Sequence, residues 1–262
     1  MSRLSEVFKS GKKILNIYCT AGFPRLDSTL PVMRALQESG ADIIELGMPY
    51  SDPLADGETI QKSSAVALAN GMNMQVLFEQ LKNMRQSPSL GGVGEAIPVV
   101  LMGYMNPVLQ YGFENFCADA ANVGVDGLIL PDLPQHEFEK TYRAILEKYN
   151  LDLIFLVTPE TSEERVKKLD SLSSGFLYAV SSSSTTGGEK DFNEVKEYLQ
   201  RLQSYQLKNP VLVGFGIKDK KTFNDACKYA NGAIIGSAYV KIIQQAPSPE
   251  VLTKCFIQSI LN

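Results

Sequence analysis

The chain has 262 residues, 44% hydrophobic and 21% charged, with four Cys, one His and no Trp. A net charge of −4 and 25 scattered Lys and Arg give no basic stripe, so a nucleic-acid partner is not expected. One His rules out a centre with two His ligands, and the four Cys form no CxxC pair, so no metal is expected.

The opening segment, MSRLSEVFKSGKK, has no apolar core, so no secretory signal is expected. The longest apolar run, 97–102, is too short to cross a bilayer, so no membrane partner is expected either. Isolated cysteines fit a reduced, cytoplasmic chain. Eight short apolar runs then follow in order: 14–19, 42–46, 97–102, 127–130, 151–157, 176–180, 210–214 and 232–235. They are continuous rather than alternating, as strands covered on both faces are. Helical periods lie between them. Leu77, Leu81 and Met84 form one stripe; Phe138, Tyr142, Ile145, Leu146 and Tyr149 form a second; Val195, Tyr198, Leu199 and Leu202 form a third. Thr161 and Glu164 have the spacing of a capping box at the start of another helix. Eight strands alternating with helices predict a single α/β domain over 1–262, a (β/α)8 TIM barrel, with a doubly wound parallel sheet as the alternative. The Ser- and Gly-rich stretch 181–189 reads as a loop after the sixth strand.

In a barrel, chemistry belongs at the C-terminal strand ends. At the first, Cys19 is placed to line the mouth. In the second, Glu45 sits within the apolar run Ile43, Ile44, Leu46, and alternation points it into the barrel. Desolvating a carboxylate raises its pKa, which suits a general acid/base; a Glu held by a buried ion pair is the alternative. The loop beyond carries Asp52 and Asp56. Either serves as a turn former, but a second carboxylate over an inward Glu gives two acids in unlike environments. His136, after the fourth strand, reads as an exposed bystander. Tyr178, in the sixth, alternates toward the interior. After the seventh and eighth, Gly214-Phe215-Gly216 and Gly236-Ser237 give small residues and a helix start, the pattern of a phosphate cradle, with Gly187 and Gly188 on a third side. These residues describe a barrel enzyme acting on a small phosphorylated substrate by carboxylate acid/base chemistry. They do not say which substrate.

The same residues resemble the α subunit family of tryptophan synthases. ELGMPYSDPLADGETIQ (45–61) is close to that family's signature. YCTAGFP (18–24), MGYMNPVLQYG (102–112), GVDGLILPDLP (124–134), GFGI (214–217) and AIIGSAYVKII (233–243) follow in the family's order. The resemblance covers essentially the whole chain. It implies retro-aldol cleavage of indole-3-glycerol phosphate to indole and glyceraldehyde 3-phosphate. Glu45 matches the acid/base, Asp56 the carboxylate that holds the indole N–H, and Tyr178 a tyrosine beside the acid. Gly187, Gly216, Gly236 and Ser237 match the phosphate cradle. Tyr18, Ile60, Met102, Ile129 and Phe215 match the walls of the indole pocket. The resemblance also implies no cofactor in this chain, pyridoxal phosphate (PLP) in a β subunit partner, and an α2β2 heterotetramer. Asp52, Pro53, Asn106, Pro107 and Asp132 match regions that face that partner. Two positions depart from the pattern: Ser184 stands where a Gly is usual, and Ser182 where an Arg is often found. A non-catalytic subunit that only activates the partner is the alternative from another class. A metal-dependent phosphosugar epimerase fits poorly with one His.

Overall fold

The computed structural model describes residues 2–86, 96–180, 192–214, 216–244 and 249–262. Nine strands form one sheet: β1 (Ile14–Thr20), β2 (Ile43–Gly47), β3 (Val99–Met102), β4 (Gly127–Ile129), β5 (Asp152–Ile154), β6 (Leu156–Val157), β7 (Leu177–Val180), β8 (Val211–Gly214) and β9 (Gly232–Ile235). All pairings are parallel, and the order is β5-β4-β3-β2-β1-β9-β8-β7-β6. The two ends of that order, β5 and β6, are halves of one predicted run, 151–157. The ladder therefore comes full circle, and the predicted eight-stranded barrel is present with one strand broken.

The break has a local cause. Phe155 N–H leaves the ladder and donates to Ser173 Oγ at 3.1 Å. Before it, Asp152–Ile154 pairs with β4; after it, Leu156 and Val157 pair with β7. The strand changes partner across one residue, with Ser173 holding the donor the ladder gives up.

Two hydrophobic clusters mark the barrel's two faces. The inner one holds Leu4, Ile14, Ile43, Val100, Ile129, Ile154, Phe176, Tyr178, Leu212 and Ile234. The outer one joins the strands' other faces to the helices, including Leu77, Leu81, Met84, Val195, Tyr198, Leu199 and Leu202 from the predicted stripes. Every residue of β1 is buried, as a strand covered on both sides must be. Leu4, from the short helix Arg3–Val7, enters the inner cluster and plugs the end away from the strands' C-termini. Gly232 lets β9 come close to β1: a Cβ there would lie 2.1 Å from the Ile14 carbonyl oxygen.

Three expectations change in detail. Thr161 does not cap the helix Glu163–Leu172; its hydroxyl turns back to accept from Thr158 N at 3.0 Å, and Ser162 caps instead. The stripe from Phe138 to Tyr149 runs through a π-helical turn, Phe138–Tyr142, before the helix Arg143–Lys148. Cys19 does not line the mouth. It follows inward Tyr18 and so faces outward, buried in the outer cluster, where desolvation pushes its thiol up to about 12.

The end of the barrel away from the mouth carries an ionic knot. Asp126 accepts from Val99 N (2.8 Å), from Arg3 Nε (2.7 Å) and from an Arg85 terminal nitrogen (2.8 Å). Arg85 also donates to the carbonyls of Ile97 and Gly124. No described helix is long and apolar enough to cross a membrane.

Candidate active site

Register puts the key groups side by side. Tyr18 on β1 pairs with Glu45 on β2, and Glu45 with Val100 on β3. One interior position further along, Gly47 pairs with Met102, and Met102 with Ile129. Alternation turns these side chains inward, so the site sits inside the barrel toward its C-terminal mouth.

Glu45 is 1% exposed. Its Oε2 accepts from Asn16 Nδ2 at 3.1 Å, and its Oε1 is buried with no hydrogen-bond partner. Among the described residues no cation pairs with it, so the buried ion pair allowed by the sequence is not found there. Burial pushes its pKa up to about 8; the Asn16 bond opposes that rise, and repulsion from Asp56 adds to it. At neutral pH Glu45 is therefore a protonated acid with one oxygen uncommitted.

Asp56 hangs from the loop between β2 and the helix Glu58–Ala69 and is half-buried. Desolvation pushes its pKa up to about 6, opposed by a hydrogen bond from the Tyr104 hydroxyl. That hydroxyl also accepts from Ala55 N at 3.0 Å, so Tyr104 fixes the loop next to its acid. The ring of Tyr50 stacks on Tyr104, centroids 5.3 Å apart. The two carboxyls are thus held in unlike surroundings, one dry and one half-wet.

Two tyrosines flank the acid, each laid over a glycine of the next strand. A Cβ on Gly47 would lie 2.1 Å from the Tyr18 hydroxyl, and one on Gly214 would lie 2.6 Å from the Tyr178 hydroxyl. Both phenols are buried and shifted well above their ordinary range, so both stay protonated. Thr20 Oγ1 lies 2.7 Å from Ser63 Oγ, and Ser63 donates to the Ile60 carbonyl. Thr20 Oγ1 donates to the Tyr18 hydroxyl at 3.4 Å, so Tyr18 accepts there and keeps its own proton.

The predicted pocket residues converge. Tyr18, Ile60, Ile129 and Tyr178 are buried, and Met102 is partly so. A Cβ on Gly236 would sit 3.5 Å from Tyr18 and 3.8 Å from Ile60, so the predicted phosphate end adjoins the predicted indole end. Gly236 precedes the helix Ser237–Ile243, as the sequence indicates, and Gly216 has φ +48, which favours Gly. Gly187 and Phe215 lie outside the described residues, as do Ser182, Ser184 and Gly188. His136 is exposed. Among the described residues no cluster of His, Cys, Asp or Glu is arranged to hold a metal ion. The sequence reading missed Asn16 and Tyr104. Asn16 was accessible by the same alternation that exposed Glu45, as a polar residue in an apolar strand. Tyr104 acts through a loop, where spacing gives no direction.

The segments expected to face a partner lie on the surface. Leu54 is 88% exposed between exposed Asp52 and half-buried Asp56, and Leu109 is 49% exposed on the helix Met105–Tyr111. Asp132 accepts from Met105 N through both oxygens at 3.0 Å, and Asn106 donates to the Tyr50 hydroxyl at 3.0 Å.

A family model described as tryptophan synthase alpha chain matches residues 4–258. Curated relatives of that description include one from Flavobacterium johnsoniae, 50% identical over 96% of this chain and 97% of its own. Another, from Bacteroides thetaiotaomicron, is 49% identical over 95% and 96%. Among solved structures, the tryptophan synthase alpha chain of Legionella pneumophila superposes with a TM-score of 0.88 at 32% identity, covering 99% of this chain and 96% of that one. The aminoacrylate-bound tryptophan synthase of M. tuberculosis gives 0.84 at 33% identity, covering 99% and 100%.

Proposed function

Since the chain belongs to the tryptophan synthase alpha chain family, we propose that it cleaves indole-3-glycerol phosphate to indole and glyceraldehyde 3-phosphate with Glu45 as the acid and base. The observation that carries the assignment is the isolation of Glu45: a carboxyl 1% exposed, with one oxygen unpartnered, protonated at neutral pH and flanked by apolar and aromatic walls.

Glu45 delivers its proton to C3 of the indole. The ring becomes an indolenium with its positive charge on N1, and Asp56, ionised, accepts the N1–H and stabilises that charge. The bond from C3 to the hydroxyl-bearing carbon then breaks, and its electrons return to the ring to neutralise N1. The hydroxyl proton passes to the Glu45 carboxylate as the aldehyde forms, which restores the acid. Protons and electrons balance within the substrate and Glu45, so the step asks for no cofactor. Tyr18, Ile60, Met102, Ile129 and Phe215 wall the indole, with Tyr178 beside the acid. Gly187, Gly216, Gly236 and Ser237 cradle the phosphate through backbone N–H groups.

The indole passes to a β subunit that carries the PLP chemistry, in an α2β2 assembly. The exposed surface around Asp52, Pro53, Leu54, Asn106, Pro107 and Asp132 is the face offered to it. The chain folds as one domain and works in the cytoplasm. The test is indole release from indole-3-glycerol phosphate by the purified chain, alone and with its β partner. Cleavage that rises on adding the partner is expected; no cleavage in either case overturns the assignment.

A further inference from the structure

Asn16 is fully buried inside the barrel, and nothing in the mechanism so far uses it. It pairs in register with Ile43, two residues before the Tyr18–Glu45 pair, so it lies one interior position further from the mouth. From there its Nδ2 donates to Glu45 Oε2 at 3.1 Å. Asn16 Oδ1 and Glu45 Oε1 are both buried and both without a hydrogen-bond partner. The two side chains are therefore joined by one bond, not by a cyclic pair.

An amide N–H can only donate, so the oxygen it holds must accept. The carbonyl oxygen of a neutral carboxyl is the better acceptor, so while Asn16 donates to Oε2 the Glu45 proton is favoured on Oε1. We propose that Asn16 is a positioning residue for this acid: it pins Oε2 from below and leaves Oε1 as the single oxygen through which Glu45 gives and takes its proton. The proposal rests on the reading of Glu45 as the acid. It adds which oxygen works and what orients it. The same bond steadies the carboxylate form that exists midway through the reaction, between proton delivery and proton return. The other titratable groups that face Glu45 are Tyr18 on β1, Tyr178 on β7 and Asp56 in the loop after β2; Cys19 lies on the outer face of β1. All remain in place when Asn16 is replaced, so a change in titration reports on the Asn16 bond.

The experiment compares Asn16→Ala, and Asn16→Leu, which keeps the volume without the donor, in the complex with the β partner. Two readouts are taken: steady-state indole release against pH, and the titration of Glu45 by 13C NMR of labelled Glu carboxyls, assigned with Glu45→Gln. Expected are a kcat at least tenfold lower with KM within about twofold, and a Glu45 midpoint about one pH unit higher, the size of one hydrogen bond to a charged acceptor. A Glu45 midpoint equal to wild type in the folded variants overturns the proposal, as does an unchanged kcat. Should Asn16→Ala not fold, Asn16→Leu carries both readouts. Absence of indole release from the wild-type complex overturns the reading of Glu45 as the acid instead, and does so without moving its titration.

Discussion

Between about pH 4.5 and 8 the unfolded chain ionises Glu45 and the folded chain does not. Folding in that window takes up a proton, so stability falls as pH rises through it, and the cost is absent below the ordinary pKa. Glu45→Gln replaces the acid by a neutral group of the same shape. It should abolish indole release, and it should stabilise the fold by about 3 kcal/mol at pH 7 with no gain at pH 4, as read by urea unfolding at both. Wild-type-like turnover would remove Glu45 from the mechanism. Asp56 must be ionised and Glu45 protonated for the proposed step. kcat/KM should therefore rise through about pH 6 and fall through about pH 8, and a pH profile of indole release checks both limbs. These two acids were legible because a charge in an apolar strand and a carboxylate in a Gly-Pro loop stand out. The dry pocket that separates their pKa values, and the donors on Asn16 and Tyr104, come from other strands and loops. Asn16 shows as a polar residue in an apolar strand, but Tyr104 and the shared pocket show in no local pattern.

At the level of elements, Ser173 is the smallest part with a large task. Its hydroxyl accepts from Phe155 N, and lies 3.2 Å from the Leu153 carbonyl and 2.9 Å from that of Phe176. Ser173→Ala leaves a buried N–H without an acceptor at the point where the barrel strand changes partner. The expected loss is about 1–3 kcal/mol in urea unfolding, with faster amide exchange at Phe155 and little change in kcat. All eight runs became strands, with boundaries within two residues, because continuous apolar runs report burial on both faces. The break at Phe155 was not legible. Phe is a good strand residue, and the serine that takes its N–H is 18 positions away. The cap misplaced by one residue has the same origin: Thr161 and Ser162 are equal candidates in sequence, and the turn at Thr158 claims the first.

Over the whole molecule, chemistry and reinforcement occupy opposite ends of the barrel. Glu45, Asp56 and Gly236 gather at the C-terminal mouth, and Asp126 with Arg3 and Arg85 ties the other end. Asp126→Ala takes the carboxylate from a half-buried arginine and the acceptor from Val99 N. It should cost about 3 kcal/mol in urea while kcat stays within twofold; a large fall in kcat would show the two ends to be coupled. Strand count and order follow from the alternation of runs, but the contacts that close the circle do not. One of these, the pairing of residues 14–17 with 232–235, sets an order of events. A ribosome makes β1 early and β9 late, so one edge of β1 stays bare until residue 235 has been made. Through most of synthesis a mainly apolar strand waits with an open edge, the condition in which nascent chains stick to one another. Until β9 arrives, β2 covers only the other edge of that strand.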